Sequence, residues 1–405
     1  MNTIRKLSLA LGLGLSLAAA CLASPFDMAK LHEMDDAIQK AIGEKRLPGA
    51  VVWVEHGANV YWTAYGKRSL VPTVETMTRD TIFDAASLTK VLAATPAIML
   101  LVQRGKVNLD APVCAYIPEF SGGGKEKITV RQLLTHTSGL PPDVNTKSKW
   151  RGTETALRMA AGVKLESAPG ARFRYSDINF FTLGEIVARV SGLPLNKFCA
   201  REIYRPLKMK DTGFLPSKFK IRRVAPTEMA DGVMLRGVVH DPTARFMGGV
   251  AGHAGLFTTA PDMARFARMM LNMGQLDGVR LFTPETVKLM TSVQTPPGME
   301  DRRGLGWDID SSLSSPRGRR FPLGSYGHTG FTGNAFWIDP FSKTFFIFLS
   351  NRVHPDGKGN VPGLYRAVGT LAAEAVTDFN FDSVPGALPP LPQRGERPAA
   401  RPGRD

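Results

Sequence analysis

The stretch GAVVWVEHGANVYWTAYG, residues 49–66, predicts two β-strands joined at Gly57-Ala58, because β-branched and aromatic residues dominate on both sides of that turn. A similar pair, NAFWID and TFFIFLSN, flanks Pro340 near the other end of the chain. Apolar residues at helical spacing in residues 26–44, and again in LYRAVGTLAAEAV, predict one helix at each end. The two ends are therefore expected to build one antiparallel sheet with helices against it.

A second region is expected between the two halves of this sheet. The chain has 405 residues, 43% of them hydrophobic, which suffices for one large domain or two closely packed ones. Residues 106–300 are richer in helical patterns and loops, so we expect a mostly helical insert between sheet regions 26–105 and 300–380. The expected fold class is α/β (α+β), and the cleft between sheet and insert is the expected place for a site.

The N-terminus has the pattern of a secretory signal peptide, residues 1–23. Arg5 and Lys6 precede the apolar run LSLALGLGLSLAAA, and small residues follow. The run is short of the roughly 20 residues that a membrane span needs, and an uncleaved anchor is the alternative. Lipidation at Cys21 is a further alternative, since LAAAC resembles a bacterial lipoprotein cleavage site. We expect an exported protein of the periplasm or cell envelope, and either alternative associates it with the membrane through its N-terminus.

Charge and cysteine content limit the kinds of partner and of covalent cross-link that are expected. The formal net charge is +15, but no cluster of lysine and arginine with interleaved aromatics is present, so no nucleic-acid partner is predicted. Cys114 and Cys199 are expected to be free thiols, with one disulfide as the alternative in an oxidising compartment. No metal or cofactor is predicted.

Residues 384–405 are rich in proline, arginine and glycine, a composition that predicts a disordered tail.

The stretch FDAASLTKVLAAT, residues 83–95, has a serine three residues before a lysine. Ser87 stands at the apparent start of a long helical pattern, and residues three apart share a helix face, so Lys90 is expected to reach the Ser87 hydroxyl. The helix N-terminus favours negative charge there, and Pro96 implies a kink or a restart. The pattern alone is a weak signal, because a second copy at residues 217–220 has no apolar helix after it.

Two other segments hold candidate partners for a serine nucleophile, which needs a base and an oxyanion hole. Tyr175, in FRYSDINFFTLGEIV, is the only one of seven tyrosines followed by x-Asn or x-Asp. His328, in YGHTGFTGNAFWID, is the only histidine or lysine followed by Thr-Gly or Ser-Gly.

Together the three segments resemble the serine β-lactamase and penicillin-binding-protein superfamily. The chain is closest to its class C β-lactamase-like serine hydrolase branch, and most resembles the penicillin-binding-protein-4B-like periplasmic hydrolases. Three more stretches are similar to that branch: TVRQLLTHTSGLP, GGVAGHAGLFTTAPDMARF and FLSNRVHP. The resemblance spans roughly residues 30–380. It implies a β-lactamase-like fold, a serine hydrolase activity, and no cofactor or metal.

The resemblance also implies a catalytic role for each matching residue. Ser87 would attack a carbonyl carbon and become acylated, and Lys90 and Tyr175 would move the protons, each as base or acid in turn. The backbone N–H groups of Ser87 and Phe331 would form the oxyanion hole. Water would then release the acyl group.

Substrate binding is implied for Asp177, His328, Thr329 and Gly330, and the first two depart from the family pattern. Many members have asparagine where this chain has Asp177. An ionised carboxylate only accepts hydrogen bonds, and it would hold the nearby lysine charged, which shifts the general-base role toward the tyrosine. Asn179 is a candidate for the missing donor. His328 takes the usual lysine position and, with an unperturbed pKa of about 6.5, would be mostly neutral and bind a substrate carboxylate less strongly.

Three other signals carry less weight. His136, in LLTHTSGL, is expected to be structural. His253, in AGHAGLF, is expected to border the cleft, with a structural role favoured. His240 and Asp241 suggest a metal pair, but no third ligand has convincing spacing.

The leading functional hypothesis is a serine hydrolase that forms an acyl-enzyme on Ser87. Its expected substrates are D-amino-acid-containing peptides, such as peptidoglycan stem peptides, cleaved by a peptidase or carboxypeptidase reaction. A small-ester hydrolase and a weak β-lactamase of the same fold are the alternatives. A catalytically inactive module that binds wall peptide or a protein partner is the alternative of another class.

Overall fold

The two predicted strand pairs form and lie side by side in one sheet. The computed structural model describes residues 25–390. Its main sheet has eight antiparallel strands, numbered along the chain and placed in the order β11 (Arg302–Arg303), β12 (Asp308–Asp310), β13 (Tyr326–Gly330), β14 (Asn334–Asp339), β15 (Thr344–Ser350), β1 (Gly49–His56), β2 (Asn59–Ser69) and β3 (Glu75–Thr76). The central pairing of β1 with β15 joins the two ends of the chain, as the sequence predicted.

Both faces of this sheet are covered, which explains why residues 50–54 of β1 are all apolar rather than alternating with polar ones. Val52 and Val54 pack in the core beneath the terminal helices α1 (Met28–Gly43) and α10 (Pro362–Glu374). Val51, on the opposite face, belongs to the larger core shared with the helical insert. A strand segment between two apolar layers favours apolar residues on both of its faces.

The insert is mostly helical, as expected. The remaining helices are α2 (Thr95–Gln103), α3 (Val130–Leu134), α4 (Thr153–Gly162), α5 (Asp177–Ser191), α6 (Leu195–Cys199), α7 (Pro242–Phe246), α8 (Ala260–Leu271) and α9 (Pro284–Thr291). Short strands form three small sheets: β4 (Phe83–Asp84), β8 (Leu256–Thr258) and β5 (Gly213–Phe214); β6 (Met229–Ala230) and β7 (Val233–Met234); β9 (Gln275–Leu276) and β10 (Val279–Arg280). Within residues 25–390, no helix has the length and apolar character that crossing a bilayer requires.

The helix expected to start at Ser87 begins at Leu88 and contains a π-helical turn. Lys90–Ala94 is a π-helical turn, and α2 begins only at Thr95, with Pro96 in its first turn. Proline has no N–H to donate to the carbonyl four residues earlier, so a continuous α-helix would leave the Leu92 carbonyl without its partner. The Tyr204 hydroxyl donates to that carbonyl at 3.2 Å instead. The chain stays helical through this turn, so a π turn accommodates Pro96 in place of the kink or restart that the sequence implied.

The chain ends and cysteines complete the description. Cys114 and Cys199 are both free thiols, and the second is buried. The predicted signal segment 1–23 lies outside the described residues, as does most of the predicted tail. Residues 384–390 of that tail are described: the Leu388 N–H donates to Leu323 O at 2.9 Å, and the Leu388 side chain contacts the core. Disorder of the tail stays a prediction.

Candidate active site

Ser87 follows a tight turn after β4. Ala86 has a φ of 46°, a left-handed conformation that costs a residue with a side chain about 1–3 kcal/mol. The Asp84 side chain accepts the Ala86 N–H at 2.9 Å, and the Asp84 carbonyl accepts Thr332 Oγ1 at 2.8 Å and Asn334 Nδ2 at 2.9 Å. These bonds fix the strained turn and join it to the chain that follows β13.

Lys90 reaches Ser87 as the spacing predicted. Its Nζ donates to Ser87 Oγ at 3.0 Å and to the His253 carbonyl at 3.2 Å, and lies 2.6 Å from Asp177 Oδ1. Three oxygens thus surround a fully buried ammonium group that has three hydrogens to donate. Burial acts to lower the pKa of Lys90, but the charge of Asp177, followed by that of Tyr175, raises it above its usual value. The resting site therefore holds a charged lysine.

Tyr175 lies beside this lysine, two residues before α5. Lys90 Nζ is 4.9 Å from the centre of the Tyr175 ring. The ring stacks on His136, with centroids 4.3 Å apart, and lies 6.1 Å from the His328 ring. Asp177 is the first residue of α5, so one short segment brings the predicted base and the carboxylate to the same ammonium group.

His136 is structural, as its sequence context favoured. It is fully buried, and its Nδ1 accepts the Ser176 N–H at 3.1 Å. Burial, followed by the charges of Arg303 and Lys90, lowers its pKa well below the usual value.

The expectation that Asn179 supplies a donor to substrate is wrong. The Asn179 side chain is fully buried, accepts Ser138 Oγ at 2.6 Å and lies 3.1 Å from His136 Nδ1. Both polar ends are therefore used inside the protein. No substitute for the missing amide at position 177 comes from this residue.

The end of β13 approaches the nucleophile turn closely. A Cβ on Gly330 would lie 2.6 Å from Ala85 O, so only glycine permits this approach. The strand thereby sets Thr329 and Phe331 beside the Ser87 turn. Within residues 25–390, neither the Ser87 N–H nor the Phe331 N–H donates to a protein acceptor. Two unused N–H groups on adjoining segments are what an oxyanion hole requires.

Phe331 is held in place although its side chain is largely exposed. Arg352 Nε donates to Phe331 O at 2.8 Å, and the guanidinium lies 4.3 Å from the ring centre. The His240 ring stacks on the same residue at 5.6 Å. Sequence reasoning missed Arg352, whose only signal was its place in FLSNRVHP.

His328 is buried and neutral. Burial, followed by the charges of Arg303 and Lys90, lowers its pKa well below the usual value. Its Nδ1 lies 2.7 Å from Thr329 O, so Nδ1 carries the proton, and Nε2 has no partner in the described part of the chain. Arg303, which sequence reasoning also missed, is fully buried and ion-paired with Asp308, and burial lowers its pKa to about 10.

The suspected metal pair serves other contacts. Asp241 Oδ1 lies 2.8 Å from His253 Nε2, and His240 Nε2 lies 2.9 Å from Glu228 Oε1. No group of three metal-binding side chains occurs among residues 25–390.

Comparison with known proteins finds relatives in sequence and in structure. A family model described as Beta-lactamase matches residues 34–369. A "Putative D-alanyl-D-alanine carboxypeptidase" of Salmonella schwarzengrund (strain CVM19633) is 35% identical over 367 residues, covering 81% of this chain and 84% of the relative. An N-acetylmuramyl-L-alanine amidase of Bacillus subtilis (strain 168) is 33% identical over 401 residues, covering 87% and 90%. The structure of EstCE1, a hydrolase with promiscuous acyltransferase activity, has the same fold, with a TM-score of 0.69, 22% identity, and 86% and 99% coverage.

Proposed function

Because the chain belongs to the Beta-lactamase family of serine hydrolases, we propose that it cleaves an amide bond in D-amino-acid-containing wall peptides through an acyl-enzyme on Ser87. The contact that carries the proposal is the 3.0 Å hydrogen bond from Lys90 to Ser87 Oγ, inside a site where the ammonium is fully buried. The family resemblance inferred from the sequence motifs agrees with the family match.

In the acylation step, Ser87 Oγ forms a bond to the carbonyl carbon and its proton passes to the Lys90–Tyr175 pair. Asp177 favours a proton on the lysine, so in the active form the Tyr175 oxygen is the acceptor. The N–H groups of Ser87 and Phe331 would bind the oxyanion, an arrangement in which each donor is worth about 10² to 10³ in rate. The amine then leaves with a proton from the pair, and water hydrolyses the ester on Ser87.

The relatives support an amide substrate. One carries the name of a D-alanyl-D-alanine carboxypeptidase and another that of an N-acetylmuramyl-L-alanine amidase, and both names describe bonds at an alanine. A peptide of the cell wall is therefore the proposed substrate class, and the periplasm or cell envelope the proposed location.

A small-ester hydrolase is the second candidate, and the neutral His328 favours it. A C-terminal peptidase must bind the free carboxylate of its substrate, but the strand presents an uncharged ring where the family usually has lysine. An ester needs no such contact. The binding-only alternative is disfavoured because Lys90 donates to Ser87 Oγ and the Tyr175 ring lies beside the same ammonium group.

The experiment compares three substrates with wild type and Ser87→Ala: a peptide ending in D-Ala-D-Ala, the same peptide with an amidated C-terminus, and a short ester. Products are followed by mass spectrometry. Release of D-alanine by the wild type alone supports the peptidase. Turnover of the ester alone supports the second candidate, and tight peptide binding with no turnover in either protein supports the binding module.

A further inference from the structure

We propose that the buried ion pair of His253 and Asp241 positions the lysine, because His253 offers its own carbonyl oxygen to Lys90 Nζ. The sequence favoured a structural role for His253 and suggested Asp241 only as half of a metal pair, and neither residue touches Ser87. The inference rests on the proposed function, since it concerns how the same acylating site is held ready.

The first observation is the contact itself. The His253 carbonyl accepts Lys90 Nζ at 3.2 Å, which makes it the third oxygen around the ammonium. Without that acceptor, a buried N–H would lose its partner and the ammonium would be free to turn away from Ser87. Catalytic geometry is sensitive to this, because a displacement of about 1 Å at a reacting group can cost about 100-fold in rate.

The second observation is that the side chain of the same residue is anchored. His253 is 1% exposed, and its Nε2 lies 2.8 Å from Asp241 Oδ1. Asp241 is itself fixed, since the same oxygen accepts the Ala244 N–H at 2.7 Å and caps α7. The ring also meets Phe181 edge-on at 5.8 Å. The position of the carbonyl therefore depends on the ion pair.

The backbone on the other side of His253 has no room to adjust. A Cβ on Gly252 would lie 2.0 Å from Phe180 O, so the chain rests directly on α5. Asp177, the carboxylate partner of Lys90, begins the same helix. Of the three oxygens around the ammonium, the Asp177 carboxylate is thus set by one helix and the His253 carbonyl by one ion pair.

The charges around the pair agree with an ionised state. Burial acts to lower the pKa of His253, but the charge of Asp241 outweighs it and raises the pKa above the usual value. The pKa of Asp241 is lowered to about 2 by His253, against the effect of burial. The other charged groups that face the imidazolium are Asp177, which favours it, and Lys90, which opposes it. Asp143, whose pKa burial raises, also lies near.

A raised pKa gives the pair a defined pH range. The ion pair is fully present at pH values below the ordinary histidine range, and is lost as pH rises through the raised pKa of the folded protein. A neutral histidine still donates one hydrogen bond to Asp241. Glutamine at position 253 offers the same donor without the charge, so His253→Gln imitates the deprotonated enzyme.

The test measures the rate at which a fluorophosphonate labels Ser87 in the full-length protein across pH. Ser87 Oγ forms a bond to phosphorus, the P–F bond breaks, and the serine proton passes to the Lys90–Tyr175 pair, so no substrate need be known. We expect His253→Gln to be labelled about 10- to 100-fold more slowly where the imidazolium is charged. The ratio of the wild-type rate to the His253→Gln rate should fall toward one as pH rises. Asp241→Asn should lower the pH at which this ratio falls.

The chain offers a matched control in His56, a second histidine paired with an aspartate. His56 is the last residue of β1 and lies away from Lys90, and its Nε2 is 2.9 Å from Asp378 Oδ1. His56→Gln should leave the labelling rate and its pH dependence unchanged. In Asp241→Asn the asparagine side chain can still cap α7. Circular dichroism and the Tm check that each variant is folded.

A rate ratio near one at all pH values, or a loss in His253→Gln that does not vary with pH, would overturn the positioning role. No labelling of folded wild type at any pH would instead overturn the proposed function, and the inference with it. The two failures are thus distinguishable in one set of curves.

Discussion

Replacing Asp177 by asparagine tests how the carboxylate controls the base. The Asp177 oxygen lies 2.6 Å from Lys90 Nζ, and opposite unit charges at that distance attract by about 6 kcal/mol at an effective dielectric constant of about 20. The burial of Lys90 and the partial burial of Asp177 offset several kcal/mol of this attraction. The asparagine oxygen still accepts a hydrogen bond, so we expect a net loss of about 3 kcal/mol, the low end for a broken buried pair.

This loss acts on the protonation of the Lys90–Tyr175 pair. Each 1.4 kcal/mol is a factor of ten, so about 3 kcal/mol makes the deprotonated pair about 100-fold more abundant on the acid side of its titration. The pair titrates as a unit, and the prediction therefore holds whichever residue accepts the Ser87 proton. We expect the acid limb of the fluorophosphonate labelling rate to move to lower pH in Asp177→Asn.

Stability supplies the second readout of the same variant. The pKa of Lys90 is raised in the folded protein, so its contribution to stability is present at neutral pH and is lost as pH rises through the folded value. The Tm of Asp177→Asn should lie below that of the wild type at pH 7, and the difference should shrink in alkaline solution. Asp177→Glu is the control that keeps the charge. An acid limb that stays in place in Asp177→Asn would refute the electrostatic reasoning.

Two other substitutions test the strand side of the site. Gly330→Ala should slow Ser87 labelling by about 10² to 10³, because its Cβ would lie 2.6 Å from Ala85 O and push the Phe331 N–H away. Gly43→Ala is the control, since a Cβ at that position has nothing within 4 Å. Equal labelling rates of the two variants would contradict the placement of the oxyanion hole. His328→Lys should raise the rate of acylation by a carboxylate-bearing substrate about 10-fold or more relative to a neutral ester, since a charged hydrogen bond contributes about 1.5–3 kcal/mol. The preference is measured by competition between the two substrates. An unchanged preference would show that this position does not bind the substrate carboxylate.

The sequence predicted what depends on local pattern. The hairpin of residues 49–66 and its counterpart near the C-terminus follow from runs of apolar and β-branched residues. The approach of Lys90 to Ser87 follows from a spacing of three residues. Side chains three apart on a turn meet whatever the rest of the fold does, so a short motif sufficed there.

What the sequence did not predict depends on distant contacts. Asn179 looked available to substrate, but His136 and Ser138, about 40 residues away, take both ends of its side chain. The carbonyl of His253 gave no signal, because a main-chain acceptor is the same in every residue. The buried Arg303 likewise depends on a partner, Asp308, that only the folded chain brings to it.

The central claim, that Ser87 is an activated nucleophile, is tested most directly by intact-mass spectrometry after incubation with a fluorophosphonate. The wild type should gain one adduct per chain, and Ser87→Ala should gain none while remaining folded. If every Ser87 is an activated nucleophile, the reaction should go to completion rather than label a small fraction. A folded wild type that stays unmodified, or an adduct that persists in Ser87→Ala, would contradict the account.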